Sequence, residues 1–264
     1  MRIVHISDLH FGMHNPHIIE PFLEDLALLK PEIVIISGDL TQRARTEQFQ
    51  QLSEFLQRLT VPQLIVPGNH DIPLDNPLMR FYHPFKRFKT YVSSNLEVSY
   101  ENDEVNILGV NSATPYKVKD GVLSAKTLTR INNHFSTNPT QLNILFFHHN
   151  LKYFSGMHHP LSNATEFLEY LKESPIHMVC TGHLHYSNLK LIAKKQGAPC
   201  ALLHAGSLCC QRTRDENNSF YFIDTEQLRC FINRRIYVNS AFSSAERYSV
   251  DFAAQSHWDN MFDN

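Results

Sequence analysis

The sequence predicts an α/β domain, and three observations carry that prediction. Six short runs are nearly continuous Val, Ile, Leu and Phe, as in strands covered on both faces. Apolar stripes at helical spacing lie between some of these runs. Hydrophobic residues make up 42% of the 264, enough to fill one large core, so disorder is not expected.

The six runs are 3–6, 33–36, 63–66, 107–110, 144–147 and 176–180. Between the second and third, Phe49, Leu52, Phe55, Leu56 and Leu59 share one face of a helix over 46–59. Ser124 is placed to cap a helix with Leu128, Ile131 and Phe135 inward. Asn163 and Glu166 have capping-box spacing ahead of Phe167, Leu168 and Leu171. Toward the C-terminus, 201–204, 220–223, 228–232 and 236–238 are expected as short strands forming a second, more antiparallel sheet packed on the first. One domain is expected over 1–240, with a polar, weakly patterned tail over 241–264.

The formal net charge of -2 gives no general reason to expect a nucleic-acid partner. No apolar run approaches the roughly 18 residues needed to span a bilayer. The N-terminus turns polar by Ser7 and Asp8, too soon for a signal-peptide core, so a cytoplasmic protein is expected. Cys180, Cys200, Cys209, Cys210 and Cys230 are odd in number and irregular in spacing, which argues against a disulfide framework. Histidine is abundant, at sixteen, and several histidines stand where an apolar run stops.

Five strand ends carry ligand-type side chains: Asp8-Leu9-His10, Gly38-Asp39, Gly68-Asn69-His70-Asp71, His148-His149 and Gly182-His183-Leu184-His185. In α/β sheets ligands bind outside the carboxyl ends of strands, so these blocks predict a metal site there. Residues two apart on an extended segment point to one side, which lets D-x-H and H-x-H each give two ligands. The glycines at 38, 68 and 182 are expected to let the backbone turn sharply. Carboxylate mixed with imidazole suits Mn, Fe, Zn or Co. No cysteine stands in the blocks, so a structural zinc site is not expected.

Together, in this order, the blocks resemble the pattern D-x-H, G-D, G-N-H-[D/E], H, G-H-x-H of the calcineurin-like metallophosphoesterases. The resemblance implies the four-layer sandwich of that family: two mixed sheets face to face with helices outside. It implies two metal ions about 3.5–4 Å apart. Asp8, His10, Asp39 and His185 would hold one, and Asp39, Asn69, His148 and His183 the other. His70 would donate a proton to the leaving oxygen or stabilise charge there. Two divalent ions outweigh Asp8, Asp39 and a hydroxide, leaving a net positive site suited to a phosphoester. Within the family, the length, the G-N-H-D block and the paired histidines look most like bacterial class III cyclic-nucleotide phosphodiesterases. A DNA-repair-type nuclease, a phosphomonoesterase, a lipid-precursor pyrophosphatase and a non-catalytic scaffold are the alternatives. Where the family often has proline after the histidine pair, Asn150 stands here.

Other residues have plainer expectations. His149 is a partner for the ligands or a substrate contact, and His158 and His159 lie on a loop that could reach the substrate. Arg212 and Arg214 are either a phosphate grip or a solvated turn. Residues 73–92 are expected as a surface cap packed through Phe81, Phe85 and Phe88, with basic residues in water; substrate contact is the alternative. His5 is expected to pack in its strand, and His14, His17, His83, His134, His177, His204 and His257 to be structural or solvated.

Overall fold

A computed structural model describes residues 1–135, 140–215 and 217–253. The first sheet has the order β12-β11-β10-β1-β2-β3. Its strands β1 (Arg2–Ile6), β2 (Ile33–Ser37) and β3 (Gln63–Val66) are parallel. On its other side β10 (Ser219–Glu226), β11 (Arg229–Val238) and β12 (Ala241–Asp251) run antiparallel. The second sheet has the order β4-β5-β6-β7-β9-β8. Here β5 (Val105–Gly109), β6 (Leu142–Phe146), β7 (Met178–Thr181) and β9 (Cys200–His204) are parallel. The edge strands β4 (Val98–Glu101) and β8 (Asn188–Ile192) are antiparallel to their neighbours.

The strands are apolar on both faces because each sheet is covered twice. Ile33, Ile35, Ile107, Ile144, Phe146 and Met178 meet in one cluster between the sheets. Val34 and Ile36 face outward onto Phe22 and Leu26 of α1 (Ile19–Leu29) and Phe49, Leu52 and Phe55 of α2 (Thr46–Arg58). Leu145, Phe147 and Val179 face the other way, onto Ile131 of α5 (Ala125–His134) and Phe167 and Leu171 of α6 (Ala164–Leu171). The layers are therefore helix, sheet, sheet, helix, as the resemblance implies.

Several expectations change. The C-terminal strands form no sheet of their own: β9 inserts beside β7, while β10 to β12 extend the first sheet. The expected tail begins with β12, whose Phe242 and Val250 are buried; residues 254–264, His257 among them, lie outside the described residues. Ser124 caps α5 by accepting from the Thr127 N–H. Asn163 makes no capping bond to α6; its amide instead pairs with both backbone groups of Leu123. In 73–92, α3 (Pro77–Tyr82) and α4 (Lys86–Tyr91) bury Phe85 and Phe88 but leave Phe81 exposed. Arg80, expected in water, is buried and donates to the carbonyls of Pro73, Pro115 and Lys117.

Candidate metal centre

The carboxyl ends of β1, β2 and β3 in one sheet and of β6 and β7 in the other bring all five blocks to one edge of the sandwich. Backbone bonds stitch the turns together: Asp8 N–H to Gly38 O, His10 N–H to Asp39 O, and Gly182 N–H to His148 O. The turns themselves are unusual. Asp8, His10, Asp39, His183 and His185 all have φ between +48° and +75°. Left-handed backbone at a residue with a side chain costs about 1 kcal/mol or more, and persists only where the surroundings enforce it. The D-x-H and H-x-H segments are therefore not extended. Left-handed turns at both members, rather than strand alternation, bring their side chains together. Of the three glycines, Gly38 has the expected left-handed turn at φ +86°. Gly68 and Gly182 serve close approach instead; a Cβ at 68 would lie 2.2 Å from Asp39 Oδ1, and one at 182 would strike Ser7 Oγ.

Asp39 is central. Its Oδ2 lies 3.6 Å from His10 Nε2 and 3.2 Å from His148 Nε2. Its Oδ1 accepts the His70 backbone N–H at 2.9 Å. Asp8 Oδ1 lies 3.3 Å from His185 Nε2 and 3.7 Å from His10 Nε2, and its Oδ2 accepts the His183 N–H. The ligand-type atoms of Asp39, His148 and His183 lie within 4.8 Å of one another, as do those of His10, Asp39 and His70. Asn69 is buried on the turn Asn69–Asp71, with its Nδ2 donating to Val118 O.

Ring orientation follows from the outward nitrogens. His148 Nδ1 bonds Ser37 O at 2.8 Å, His185 Nδ1 bonds Arg212 O, and His70 Nδ1 bonds Gln42 O at 2.8 Å. With Nδ1–H donating to a carbonyl, Nε2 is left to face the site. Burial opposes charge on Asp8, but His185, His10 and His148 overcome it and hold the carboxyl well below its usual range. Asp39 is likewise held low against burial by His148, His70 and His10. Against the cost of burial, Asp39 raises the His148 pKa to about 9 and Asp8 raises that of His185 to about 11. Burial holds His183 well below the ordinary histidine value.

The surrounding residues divide. His149 is wholly buried, 4.8 Å ring to ring from His183, with Nδ1 on Ser112 Oγ. Its ring packs against those of both His148 and His183, the arrangement expected of a partner for the ligands, and its burial leaves no exposed face for a substrate. His158 reaches the cluster, its ring 5.0 Å from that of His183, while His159 turns to Tyr153. Arg214 donates to Gly156 O and Arg212 is exposed, so both stand on the rim beside His185. A small cavity of about 120 Å³ beside His70 is bordered by Gln42, Arg43, Asn69, Val118 and Lys119. Clefts of about 850 and 830 Å³ border Glu104 and Lys172, at the opposite strand edge and away from this chemistry.

Two residues escaped the sequence reading. Asp71 is buried and accepts from the N–H groups of Leu40, Thr41 and Gly68 and from Thr41 Oγ1, tying the β2 and β3 turns together. Its place beside Asn69 and His70 was a signal. Cys210, which the motif spacing left out, has its sulfur within 4.8 Å of ring nitrogens of His10 and His185.

The fit to a metal is testable from the unpaired atoms. Asp8 Oδ1, Asn69 Oδ1 and His183 Nε2 are buried without a hydrogen-bond partner. Such atoms cost about 1–3 kcal/mol each unless something satisfies them, and a cation does so for oxygen and imidazole donors alike.

The model of the calcineurin-like phosphoesterase family matches residues 1–187. A probable glycerophosphodiester phosphodiesterase GpdQ of Arcobacter nitrofigilis is 30% identical over 120 residues, 46% of this chain and only 42% of that protein. A probable cyclic nucleotide phosphodiesterase of Moraxella catarrhalis is 25% identical over 70% of this chain and 71% of its own length. The UDP-2,3-diacylglucosamine pyrophosphatase LpxG of Chlamydia trachomatis is 26% identical over 72% of this chain and 65% of its own. In fold, the chain is similar to purple acid phosphatase PPD1 of yellow lupin, with a TM-score of 0.70 at 13% identity, covering 95% of this chain and 53% of that one. With a family model spanning all five blocks, the chain belongs to the calcineurin-like phosphoesterase family and is a metal-dependent phosphoesterase.

Proposed function

We propose that the chain is a phosphodiesterase that holds two metal ions and cleaves a small diester, such as a 3',5'-cyclic nucleotide. The observation that carries the two-ion reading is the position of Asp39, whose Oδ2 stands between His10 and His148. Asp8, His10, Asp39 and His185 would hold one ion, and Asp39, Asn69, His148 and His183 the other. Bound there, the ions would supply Lewis acidity toward the phosphoryl oxygens and an acidified water as nucleophile.

The chain's own groups do the rest. The Nδ1 bond to Gln42 O fixes the His70 ring, and the Asp39 bond to its N–H fixes its backbone. With Nδ1–H held by Gln42 O, His70 would act as the acid in its doubly protonated form, giving the Nε2 proton to a departing alkoxide. The cavity beside His70 gives the leaving group a place bordered by Arg43 and Lys119. Three neutral donors on the second position suit a diester monoanion. The relatives named as phosphodiesterases support a diester.

The test is a ratio. A nucleoside alkoxide needs a proton to leave, whereas p-nitrophenolate does not. His70→Ala should lower turnover of a cyclic nucleotide on the order of 10²–10⁴-fold, and that of bis-p-nitrophenyl phosphate far less. Equal losses would show that His70 acts by charge or positioning. A wild-type preference for monoesters would remove the diester reading.

A further inference from the structure

The two adjacent cysteines at the end of the β9 loop have different surroundings. Cys209 Sγ donates to Leu9 O at 3.3 Å, and its neighbours Leu9 and Phe220 belong to the apolar cluster under α1 and α2. Cys210 points the other way. It pairs with His14 across a β-bridge, which draws it against the turn carrying Asp8 and His10. Its sulfur lies within 4.8 Å of ring nitrogens of both His10 and His185, and it is 1% exposed.

Three observations take this cluster beyond a lone thiol. Cys210 Sγ accepts the Arg212 backbone N–H at 3.4 Å, the kind of bond that steadies a metal thiolate. The same residue, Arg212, anchors the His185 ring through its carbonyl, so one short loop orients both the imidazole and the sulfur. Asp8 Oδ1, buried and without a hydrogen-bond partner, faces the His10 and His185 nitrogens.

We propose that Cys210 supplies a sulfur donor to the metal position formed by Asp8, His10, Asp39 and His185. This rests on the two-metal reading above. On binding, the sulfur–metal bond forms as the thiol proton leaves to solvent. A thiolate makes that position softer than the other, which has only oxygen and nitrogen donors. The two positions then differ in preference: the one with sulfur selects zinc, iron or cobalt over manganese. The thiolate also cancels one more positive charge there, concentrating the site's net charge on the Asn69, His148 and His183 side.

The full chain loaded with cobalt(II) tests this without recourse to activity. Wild type should show a thiolate-to-cobalt charge-transfer absorption in the near ultraviolet. Cys210→Ser should lose that absorption, and Cys209→Ser should keep it. X-ray absorption of the zinc-loaded wild type should show sulfur at about 2.3 Å, averaging half a sulfur per zinc, and needs no variant to fold. Two bound ions with neither the absorption nor the sulfur shell would overturn the assignment while leaving the two-metal reading standing. So would an absorption that survives in Cys210→Ser or disappears in Cys209→Ser. Protein that binds no cobalt or zinc at all would overturn the two-metal reading and this inference with it.

Discussion

Replacing Arg80 by Leu should destabilise the protein by about 2–4 kcal/mol. Arg80 is 6% exposed and spends its guanidinium on three backbone carbonyls, Pro115 O at 2.8 Å, Pro73 O at 3.2 Å and Lys117 O at 2.6 Å. The Pro73 bond is fully buried, and a charged hydrogen bond of that kind contributes about 1.5–3 kcal/mol. The other two are partly buried, so water can replace the lost donor, and each should contribute about 0.5–1 kcal/mol. Part of the loss is offset because no guanidinium is then held out of water. The effect should reach the site, because the next carbonyl along, Val118 O, accepts from Asn69 Nδ2. Urea unfolding should show a lower midpoint at unchanged m-value, and KM should rise more than kcat falls. Arg80→Lys, with donors on one point rather than a fork, should recover less than half of the stability. A change below about 0.5 kcal/mol with unaltered KM would refute the idea that Arg80 holds this loop to the site.

Gly68→Ala would place a Cβ 2.2 Å from Asp39 Oδ1 and 2.3 Å from its backbone nitrogen, so kcat/KM should fall about 100-fold or more as Asp39 is displaced. Near-normal turnover in that variant would show that the turn has room to give. A separate expectation concerns acid. Burial holds His204 and His177 at about 4, so the folded state resists protonation that the unfolded chain accepts from about pH 6.5 downward. Their contribution is present above pH 6.5 and is lost as pH falls toward 4. Between pH 6.5 and 5, His204 alone should cost about 1.5 kcal/mol. Chelator-treated His204→Gln should therefore lose less stability over that interval than chelator-treated wild type, and parallel pH curves would contradict this.

The site was legible in the sequence because each block is local, with ligand-type residues directly after an apolar run. The reason for their convergence was not legible. Left-handed backbone at Asp8, His10, Asp39, His183 and His185 is non-glycine strain that composition does not signal. Which strand joins which sheet also escaped, because β9 is as apolar as β10 and only the long-range pairing of Met178 with Ala201 separates them. Helix α1 was missed for want of a side-chain cap, although Ile19, Phe22 and Leu26 share its buried face. Strand β12 was missed because it is an edge strand with most residues exposed. Arg80 was assigned to water because nothing local marks a cation whose partners are carbonyls 35 and 37 residues away.

Metal stoichiometry tests the central claim most directly, since both proposed ligand sets share Asp39. Elemental analysis of wild-type, Asp8→Ala and Asp39→Ala protein, reconstituted with the same metal and desalted, should give about two, about one and fewer than one ion per chain. Asp8→Ala keeps the Asn69, His148 and His183 side intact, whereas Asp39→Ala weakens both. Wild type that never exceeds one ion, or Asp39→Ala that retains two, would contradict the bridging role of Asp39 and the two-metal account built on it.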